Sequence, residues 1–502
     1  MSNSARLKRM AQESVSGSAA RQYGAWMAQP STAMLTSFPP RECGIATFAR
    51  DLMGAMDGAH HLRSLTHLSA PSPWVIAMND GGQDHDYGPQ VRLTIDRDNR
   101  TDYLRAAQYV NASSRTQAVS IQHEYGLFGG ERGEYLLDFI QAVDRPVVLT
   151  MHTVLEEPDP TLRRVTEQLI EQSSAVVVLA ESARKILAEH YPRANLDKVT
   201  FIPHGTPMVR RESTRRYKHE LGLEGQTVLS TFGLLGPDKG IEHAIRALPE
   251  IVARHPDVVY LVLGQTHPGQ RRYAGESYRQ MLTALVDELG LQDHVRFFNR
   301  YLSTPELLRF LQATDVYILP YLNPRQIVSG TLAYAVACGK AVVSTPFVYA
   351  REMLSQGRGH LASFQDARSI TRAVNAYLDD PSYKARVEAL AYNHGRRMHW
   401  PAVGVAYCRL LRRVVDAHRA QARKQAAESH RRLAVQARQA PSIYPLPVGL
   451  ALAPAHSYSL GARPLASATG PVARRVSRKG AARRGLPPTR ASADAALPSS
   501  LG

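Results

Sequence analysis

The sequence has little cysteine and no long apolar run. Its three cysteines, Cys43, Cys338 and Cys408, lie far apart among 502 residues and form no CxxC pair. This spacing argues against a disulfide framework and a cysteine-rich zinc site, and it favours a reducing compartment. No stretch reaches the roughly 18 apolar residues of a membrane-spanning helix. The polar, basic N-terminus lacks the apolar region of a secretory signal, so we expect a cytoplasmic protein.

Acidic residues are scarce in the C-terminal part of the chain. From His418 onward there are fourteen Lys or Arg residues and two acidic ones, so twelve of the seventeen net positive charges lie there. Beyond residue 440 the segment is rich in Ala, Pro, Arg, Ser and Gly and has no periodicity, which predicts disorder. Because no aromatic residues are interleaved with these charges, a solvated tail or a membrane-surface contact is favoured, and nucleic acid is an unlikely partner.

Between the two ends, short apolar runs alternate with amphipathic stretches. Most runs are continuous, as expected for parallel strands covered on both faces. The stretches 241–255 and 276–290 have helical periodicity, and Gly290 is a natural C-terminal cap. This alternation predicts an α/β protein with doubly wound parallel sheets. The candidate strands are 33–38, 74–78, 118–124, 146–153, 175–181, 198–204, 227–233, 258–264, 294–299, 315–321 and 341–345.

Eleven candidate strands indicate two sheets, because twisted open sheets seldom exceed about 10 strands. The break falls in the polar, charged segment 204–226. We therefore expect two Rossmann-like doubly wound domains facing a cleft, where a ligand would bind, with disordered N- and C-terminal tails. The predicted division is a disordered segment 1–29, a first domain 30–204, a second domain 205–395, a helix 396–420 that returns to the first domain, and a basic, mostly disordered tail 421–502.

The segment 231–252 reads as a strand, a glycine turn and a helix. Gly233 and Gly236 allow tight turns, and Lys239 stands just before the helix that begins near Ile241. Backbone amides and a lysine at a helix N-terminus suit a diphosphate. An ordinary strand–helix turn with a solvated lysine explains the same pattern equally well.

The segment 323–346 follows the same logic. Ser329, Gly330 and Thr331 open a helix of small residues that stops at Gly339. Two hydroxyls and free amides at a helix start would hold an anion, although a plain N-cap is equally consistent with this segment alone. Two such helix starts in one half of the chain together favour a diphosphate-bearing ligand.

Together these segments resemble GT-B glycosyltransferases of family four, the glycosyl transferases of group 1. The resemblance rests on FGLLGPDKGIEHAI, VVYLVLG, HVRFFNRYLSTPELLRFLQATDVYILPY and ACGKAVVSTPFVYAREML, and it extends over about residues 31–415. SFPPRECGIATFARDL, QHEYGLFGGERGEYL, MHTVLEEPDP and QIVSGTLAYA further resemble a bacterial subgroup of sugar transferases. The resemblance makes 30–204 the acceptor domain and 205–395 the donor domain.

The resemblance implies donor-binding roles in the second domain. Lys239 matches the lysine that contacts the donor diphosphate, and we expect its side chain at a solvent-facing cleft. Ser329, Gly330 and Thr331 fall where the family's loop amides hold phosphate. Glu352 matches a position that follows the donor loop, and we assign it to the donor site.

Three positions depart from the family pattern. Leu234 stands where the family has a second cation, an arginine. Gln326 and Tyr334 replace two glutamates, the first of which contacts the donor sugar and the second the nucleotide ribose. Gln326 can still hydrogen-bond a sugar hydroxyl, whereas Tyr334 cannot copy a carboxylate–diol contact.

In the first domain the resemblance concerns two positions on the donor side. Gly44 opens a helix after the first strand and matches the family's glycine loop near the donor phosphates. His152 ends a strand at the cleft edge and matches a histidine that approaches the donor sugar; a structural histidine is the alternative.

The segment IQHEYGLFGG supplies the expected acceptor-side residues. His123 and Glu124 end a strand at the cleft, and Gly129 and Gly130 would allow close approach of a ligand. Glu181, in LAESARKIL, is expected to cap a helix rather than to act in catalysis.

The resemblance implies a retaining hexosyltransferase of the cell envelope that moves a hexose from a nucleoside-diphosphate sugar to a saccharide or lipid-linked acceptor. His152 and Lys239 would be its catalytic residues. No DxD follows a strand and no His/Asp/Glu group has ligand spacing, so we expect neither a metal site nor a cofactor. The alternative is a catalytically weakened GT-B protein that binds a sugar or nucleotide as a regulatory module, which the residues at 234, 326 and 334 motivate.

Overall fold

The computed structural model describes residues 30–61, 73–82 and 84–439. The disorder predicted for residues 1–29 and for the tail beyond residue 440 therefore lies outside the described residues. The strands are β1 (Thr32–Thr36), β2 (Trp74–Asn79), β3 (Val91–Asp96), β4 (Ala118–His123), β5 (Val147–Met151), β6 (Ala175–Val178), β7 (Val199–Phe201), β8 (Thr227–Phe232), β9 (Val258–Leu263), β10 (Val295–Phe298), β11 (Val316–Leu319), β12 (Ala341–Ser344) and β13 (His360–Leu361).

The helices follow the strands in alternation. They are α1 (Gly44–His61), α2 (Arg100–Ala112), α3 (Tyr135–Ala142), α4 (Pro160–Gln172), α5 (Glu181–His190), α6 (Thr214–Glu220), α7 (Ile241–Arg254), α8 (Pro268–Ala274), α9 (Ser277–Glu288), α10 (Thr304–Ala313), α11 (Gly330–Ala337), α12 (Val348–Met353), α13 (Ala367–Asp379), α14 (Pro381–Gly395) and α15 (Trp400–Gln439).

The strands form two sheets, which confirms the predicted pair of parallel, doubly wound sheets. One sheet has seven strands in the order β3-β2-β1-β4-β5-β6-β7, and the other has six in the order β10-β9-β8-β11-β12-β13. Every pairing between neighbouring strands is parallel. The strand order reverses between β1 and β4 and again between β8 and β11, so each sheet has a switch point at which ligands bind in α/β proteins.

The central strands are apolar because helices cover both of their faces. All residues of β2, β4 and β9 are buried. In the first sheet, side chains of one face of β4 pack with those of α2 and α3 in one core cluster. Helix α7 buries its apolar stripe against β8 and β9 in the second sheet. This two-sided burial explains the continuous apolar runs.

Helix α15 packs against the first sheet, although it follows the last helix of the second domain. Val403, Tyr407 and Leu411 share a core cluster with Phe48 and Leu52 of α1. Tyr407 also hydrogen-bonds Thr150 of β5, with 3.0 Å between the two side-chain oxygens. The chain passes between the domains at two adjacent places, because Thr206 pairs with His399 in a parallel bridge.

Two strands and the end of α15 differ from the sequence-based expectation. β3 was missed because its side chains are only partly buried, and β13 because it has two residues. The helix predicted to end at residue 420 is longer in the structure, because α15 continues to Gln439. Both sheets lie in a compact unit that ends at Ala422, and Arg423 begins a second unit. None of the helices in the described part of the chain combines the length and the hydropathy that a membrane-spanning helix needs.

Candidate active site

The carboxyl ends of β8 and β11 lie side by side and each leads into a helix start. β8 pairs with β11 at Leu229–Val316 and Ser230–Tyr317. β8 is followed by the glycine loop, a short turn that ends at Lys239, and α7. β11 is followed by the loop that carries Gln326 and by α11. The topology therefore brings the two predicted anion-binding segments to one switch point.

Lys239 is buried, and the expectation of a solvent-facing side chain is wrong. Its residue exposure is 5%. The Nζ atom lies 4.4 Å from the centre of the Tyr321 ring and 3.2 Å from Asp238 Oδ2, yet it makes no hydrogen bond of good geometry. Burial lowers its pKa, Tyr321 and Asp238 raise it, and the net direction is upward. The turn thus holds a charged donor with unused hydrogen-bonding capacity at the strand end.

The start of α11 is joined to this lysine through Tyr321. The Tyr321 hydroxyl lies 3.0 Å from Thr331 Oγ1, which lies 2.9 Å from Ser329 Oγ. Ser329 Oγ also accepts a hydrogen bond from the Leu332 amide at 3.3 Å, and so it caps α11. Ser329 is buried, whereas Gly330 and Thr331 are partly exposed. A helix N-terminus, two hydroxyls and one ammonium group therefore surround a common region.

The three residues that depart from the family pattern have different surroundings. Leu234 is partly exposed in the glycine loop. The side-chain amide of Gln326 donates to the Val328 carbonyl at 3.0 Å, which folds the side chain onto its own loop. Tyr334 is 7% exposed and donates to Asp51 Oδ2 of α1 at 3.3 Å. Tyr334 therefore makes a contact between the two domains.

Glu352 lies on α12 and contacts the first domain. Its carboxylate accepts from the backbone amides of Glu181 and Ser182 at 3.0 and 2.9 Å, and from the Ser182 hydroxyl at 2.7 Å. These three donors occupy the carboxylate, so a donor contact by Glu352 would require breaking them. Glu181 was expected to cap a helix, which is wrong: the N-cap residue of α5 is Ala180, and Glu181 is the first residue of the helix.

In the first domain, Gly44 is the first residue of α1, and Phe48, one turn later, is packed between two histidines. The Phe48 ring centre is 4.8 Å from that of His152 and 5.0 Å from that of His204, both edge-on. His152 follows β5, and its Nε2 lies 3.0 Å from Gln122 Oε1. Burial lowers the pKa of His152 to about 3, with smaller contributions from His204 and His123. His152 is therefore neutral at pH 7.

His204 is a further candidate that the sequence reading did not single out. It stands in the first crossing between the domains and is 8% exposed. Its Nδ1 lies 2.7 Å from the Gly205 carbonyl oxygen, which assigns the proton to Nδ1 and leaves Nε2 as an acceptor. A Cβ atom on Gly330 would lie 3.2 Å from Nε2, so His204 faces the start of α11. Burial lowers its pKa to about 4. In the sequence, a histidine followed by glycine at the end of a candidate strand could have indicated this position.

The predicted acceptor-side residues lie deep at the end of β4. His123 is fully buried, stacks on Phe128 with 5.7 Å between ring centres, and has no hydrogen-bond partner on either ring nitrogen. Glu124 accepts from the Tyr125 amide at 3.0 Å and from Thr153 Oγ1 at 2.5 Å. Burial raises the pKa of Glu124 to about 7, and burial lowers that of His123 to about 3. Desolvation, rather than an ion pair, therefore shifts the pKa values of both groups.

Gly129 and Gly130 follow in the same loop, where their role is in packing. A Cβ atom on Gly129 would lie 2.0 Å from the Arg97 carbonyl oxygen, so only glycine fits. Gly130 has a φ of 79°, which favours glycine as well. The structure thus explains both glycines through the chain itself, and their contact with an acceptor stays a prediction.

Polar contacts join the two domains at several places along the cleft, from the β1–β2 end of the first sheet to β6. At the β1–β2 end, Glu42 accepts from Gln265 and Asp80 pairs with Arg272 at 3.4 Å. At the β5–β11 position, Arg325 pairs with Glu157. At the β6–β12 position, Glu352 contacts α5. Thr47 of α1 also contacts Tyr301 of the second domain, with 2.8 Å between their hydroxyl oxygens.

No group of three or more His, Cys, Asp or Glu side chains with metal-binding geometry occurs among the described residues. At the switch point, the donors that could receive an anion are the Lys239 ammonium and the N-terminal amides of α11.

Comparisons with known proteins agree with this architecture. Residues 213–394 match the family described as glycosyl transferases group 1. The chain is 25% identical over 299 residues to a D-inositol 3-phosphate glycosyltransferase of Corynebacterium glutamicum, covering 56% of this chain and 69% of that protein. It is 27% identical over 286 residues to a phosphatidyl-myo-inositol mannosyltransferase of Mycolicibacterium smegmatis, covering 55% and 68%.

Solved structures share the fold at low sequence identity. The match to the crystal structure of Anabaena HepE in complex with UDP covers 76% of this chain and 99% of the HepE chain, with a TM-score of 0.58 and 16% identity. Sucrose-phosphate synthase from Thermosynechococcus elongatus covers 78% and 100%, with a TM-score of 0.62 and 19% identity. The chain is therefore a glycosyltransferase with the GT-B fold, and it carries a glycosyl transferases group 1 domain at residues 213–394.

Proposed function

We propose that the protein transfers a hexose from a nucleoside-diphosphate sugar to a saccharide or lipid-linked acceptor, with retention and without a metal. The observation that carries the proposal is the connected group at the ends of β8 and β11. There, Lys239 Nζ faces the Tyr321 ring, and Tyr321 reaches the hydroxyl of Thr331 at the start of α11. A buried ammonium with free donors beside a helix N-terminus suits an anionic leaving group.

The chemistry assigned to this group is stabilisation of the departing diphosphate. As the glycosidic bond to the diphosphate breaks, negative charge grows on the phosphate oxygens. Lys239 and the amides of Gly330 and Thr331 would donate to those oxygens, and their preorganised positions would lower the barrier. This scheme uses no cofactor, since the protein itself supplies the ammonium group and the amide donors.

The neutral histidines suit the sugar side of the donor. With their pKa values lowered to about 3 and 4, His152 and His204 carry no charge at pH 7. A neutral imidazole can accept from or donate to a sugar hydroxyl without repelling the positive charge that develops on the sugar. We assign His152 to the donor sugar, as the resemblance implies. His204 is the second candidate, because its free Nε2 faces α11.

The acceptor belongs to the first domain in this proposal. Glu124, with a pKa near 7, lies at the end of β4, and a carboxyl group of that pKa can exchange a proton at neutral pH. The relatives named above act on an inositol phosphate and on a phosphatidylinositol, so polyol and lipid-linked acceptors are the first classes to test. A lipid-linked acceptor would place the protein at the inner face of the membrane, with the exposed basic residues of α15 as a contact surface.

The test is a donor and acceptor panel with the full chain. UDP-, GDP- and ADP-sugars are offered with sugar, inositol-phosphate and phosphatidylinositol acceptors, and released nucleoside diphosphate is measured. We expect one donor to give product with the anomeric configuration of the donor, in the presence of EDTA as well as Mg²⁺. Binding of a nucleotide sugar without any product or hydrolysis would contradict the proposal.

A binding module without transfer is the second candidate function, and the residues at two positions favour it. The position that holds a ribose-binding glutamate in the family is occupied by Tyr334, whose hydroxyl contacts Asp51 instead of a free pocket. Leu234 also lacks the charge of the family's arginine. In this case the nucleotide sugar would bind with no turnover by the wild type, so the same panel separates the two functions.

A further inference from the structure

Helix α5 lacks a cap of its own. Its N-cap residue is Ala180, which has no side-chain acceptor for the first amides of the helix. Ser, Thr, Asp and Asn are preferred at this position because their side chains satisfy one of these amides. Here the acceptor comes from the other domain, since Glu352 binds the amides of Glu181 and Ser182 at 3.0 and 2.9 Å. A helix of one domain is thus capped by a carboxylate of the other.

The capping carboxylate is firmly supported in its own domain. Glu352 lies in α12, and the buried guanidinium of Arg358 donates to the Met353 carbonyl at 2.7 Å and to the Glu352 carbonyl at 2.9 Å. These bonds satisfy the last carbonyls of α12 and fix its end. The turn that carries Glu352 is therefore held in one conformation by a buried guanidinium, and its carboxylate extends from this turn to α5.

This contact lies next to the point where the chain crosses between the domains. The first crossing follows β7, and the two crossings pair through Thr206 and His399. β6, which leads into α5, is the neighbour of β7, whereas β2, which leads to Asp80, is five strands away from β7. At about 4.8 Å per strand, β6 and β2 lie roughly 5 Å and 24 Å from β7 across the sheet.

A domain rotation about the crossing would affect the two ends of the cleft differently. A rotation of about 15°, the size of known rigid-body rearrangements, moves a point at 5 Å by about 1 Å and a point at 24 Å by about 6 Å. The cap on α5 can adjust to the smaller movement. The Asp80–Arg272 pair, at 3.4 Å, cannot survive the larger one.

We propose that Glu352 is a positioning residue: it caps α5 across the domain boundary and so forms the pivot about which the cleft opens and closes. The cap persists in both states, and the Asp80–Arg272 and Glu42–Gln265 contacts form only on closure. Only the predictions about transfer rates depend on the proposed function. Exchange and binding measurements test it independently.

The experiment compares the full-length wild type, Glu352→Ala and the double variant Glu352→Ala/Ala180→Ser, which offers α5 a cap within its own domain. Amide hydrogen exchange is followed at residues 181–183 and at the start of α1, with and without UDP, and UDP affinity is measured by calorimetry. Asp80→Asn is the matched control at the far end of the cleft.

In Glu352→Ala, we expect exchange at 181–183 to rise at least tenfold, and the UDP-induced protection of α1 to be lost while UDP still binds. With an active donor, kcat should fall about tenfold with a smaller change in KM. The double variant should regain protection at 181–183 but neither the response of α1 nor kcat. Asp80→Asn should weaken the response of α1 and leave exchange at 181–183 unchanged.

Three results would overturn the pivot. Unchanged exchange at 181–183 in Glu352→Ala would show that the carboxylate does not cap α5 in solution. An unchanged response of α1 to UDP in Glu352→Ala would show a cap without a coupling role. Recovery of both the α1 response and kcat in the double variant would assign Glu352 to helix stability alone. Failure of the wild type to bind any of UDP, GDP and ADP would instead contradict the proposed function, and 181–183 exchange would still decide the cap.

Discussion

Tyr334 of α11 donates a hydrogen bond to Asp51 of α1, with 3.3 Å between the hydroxyl and carboxylate oxygens. The bond joins the helix that begins at the candidate phosphate site to the first helix of the opposite domain. Tyr334 also packs near Phe232, with 6.4 Å between ring centres. Tyr334 therefore links the two faces of the cleft.

Removing this hydroxyl should impair closure more than folding. For Tyr334→Phe we expect KM for the nucleotide sugar to rise about tenfold, because a hydrogen bond to a charged group contributes about 1.5–3 kcal/mol and part of it is replaced by water. Steady-state kinetics measures the change. Tyr377→Phe is the control, since Tyr377 is buried and donates to the Val342 carbonyl within one domain at 3.2 Å. Equal KM values for the two variants would contradict a role in closure.

Two buried lysines of the second domain should contribute unequally to stability. Lys239 and Lys340 are each 5% exposed. Lys340 Nζ donates to the carbonyls of Gln312 and Thr314 at 3.2 Å, whereas Lys239 Nζ makes no such bond. Lys340→Met should therefore lower the free energy of unfolding by about 3 kcal/mol, because two buried carbonyls lose their donor. Lys239→Met should lower it much less, because only the attraction of the ammonium to Tyr321 and Asp238 is lost. Urea denaturation decides, and a large loss in Lys239→Met would show that its ammonium serves the fold.

The stability contribution of Glu124 should fall as pH rises. Burial raises its pKa to about 7 from an ordinary value of 4.5, so between these pH values the folded state binds more protons than the unfolded state. The free energy of unfolding from this group therefore decreases from pH 4.5 to 7 and stays reduced above that. The buried histidines, whose pKa values are lowered, make the free energy of unfolding rise with pH over part of this range. Glu124→Gln keeps these histidines, so their effect cancels when the variant is compared with the wild type.

The difference in unfolding free energy between the wild type and Glu124→Gln should thus decline by about 3 kcal/mol from pH 4.5 to pH 7.5. Chemical denaturation at four or five pH values measures it. A difference that is constant across this range would show that Glu124 titrates at its ordinary pKa and is not a proton carrier at neutral pH.

The pattern of apolar runs was sufficient to predict the two parallel sheets, because helices on both faces leave a continuous signal in each central strand. Weakly buried elements gave no such signal: β3 is an edge strand with partly exposed side chains, and β13 has two residues. The end of α15 was also missed. Its residues 421–439 are helical, yet their composition resembles that of the basic segment that follows.

Site residues could be predicted as far as strand ends and helix starts indicate them, but not their partners. Lys239 was expected in solvent, because sequence does not show that Tyr321 covers it. Glu352 was assigned to the donor because its place in the chain follows the donor loop, whereas its contact is with a helix 170 positions earlier. His204 was overlooked because its position depends on the chain crossing. Such long-range contacts leave no periodic signal.

The exposed cations near the end of α15 should attract anionic membranes. Arg423, Lys424, Arg431 and Arg432 are all exposed. Each basic residue near an anionic surface contributes about 1 kcal/mol, so replacing all four by Gln should weaken binding to phosphatidylserine vesicles more than a hundredfold. Vesicle sedimentation at low and high salt measures this, with circular dichroism to check that the helix is retained.

The control for the vesicle experiment carries the same change in net charge elsewhere. It replaces four exposed cations of the first domain by Gln: Arg163, Arg184, Lys185 and Arg193. Vesicle binding that falls equally in both variants would indicate a response to overall charge rather than a surface on α15.

The central claim is that the ends of β8 and β11 bind the diphosphate of a nucleotide sugar, and calorimetric titration tests it most directly. UDP, GDP, ADP and uridine are titrated into the wild type, Lys239→Met and Thr331→Val, a change that keeps the Ser329 cap of α11. The account predicts that one nucleoside diphosphate binds the wild type and that uridine binds far more weakly. It predicts that Lys239→Met loses at least tenfold in affinity, since a charged hydrogen bond contributes about 1.5–3 kcal/mol. Equal affinities in all three proteins would place the phosphates elsewhere and contradict the account.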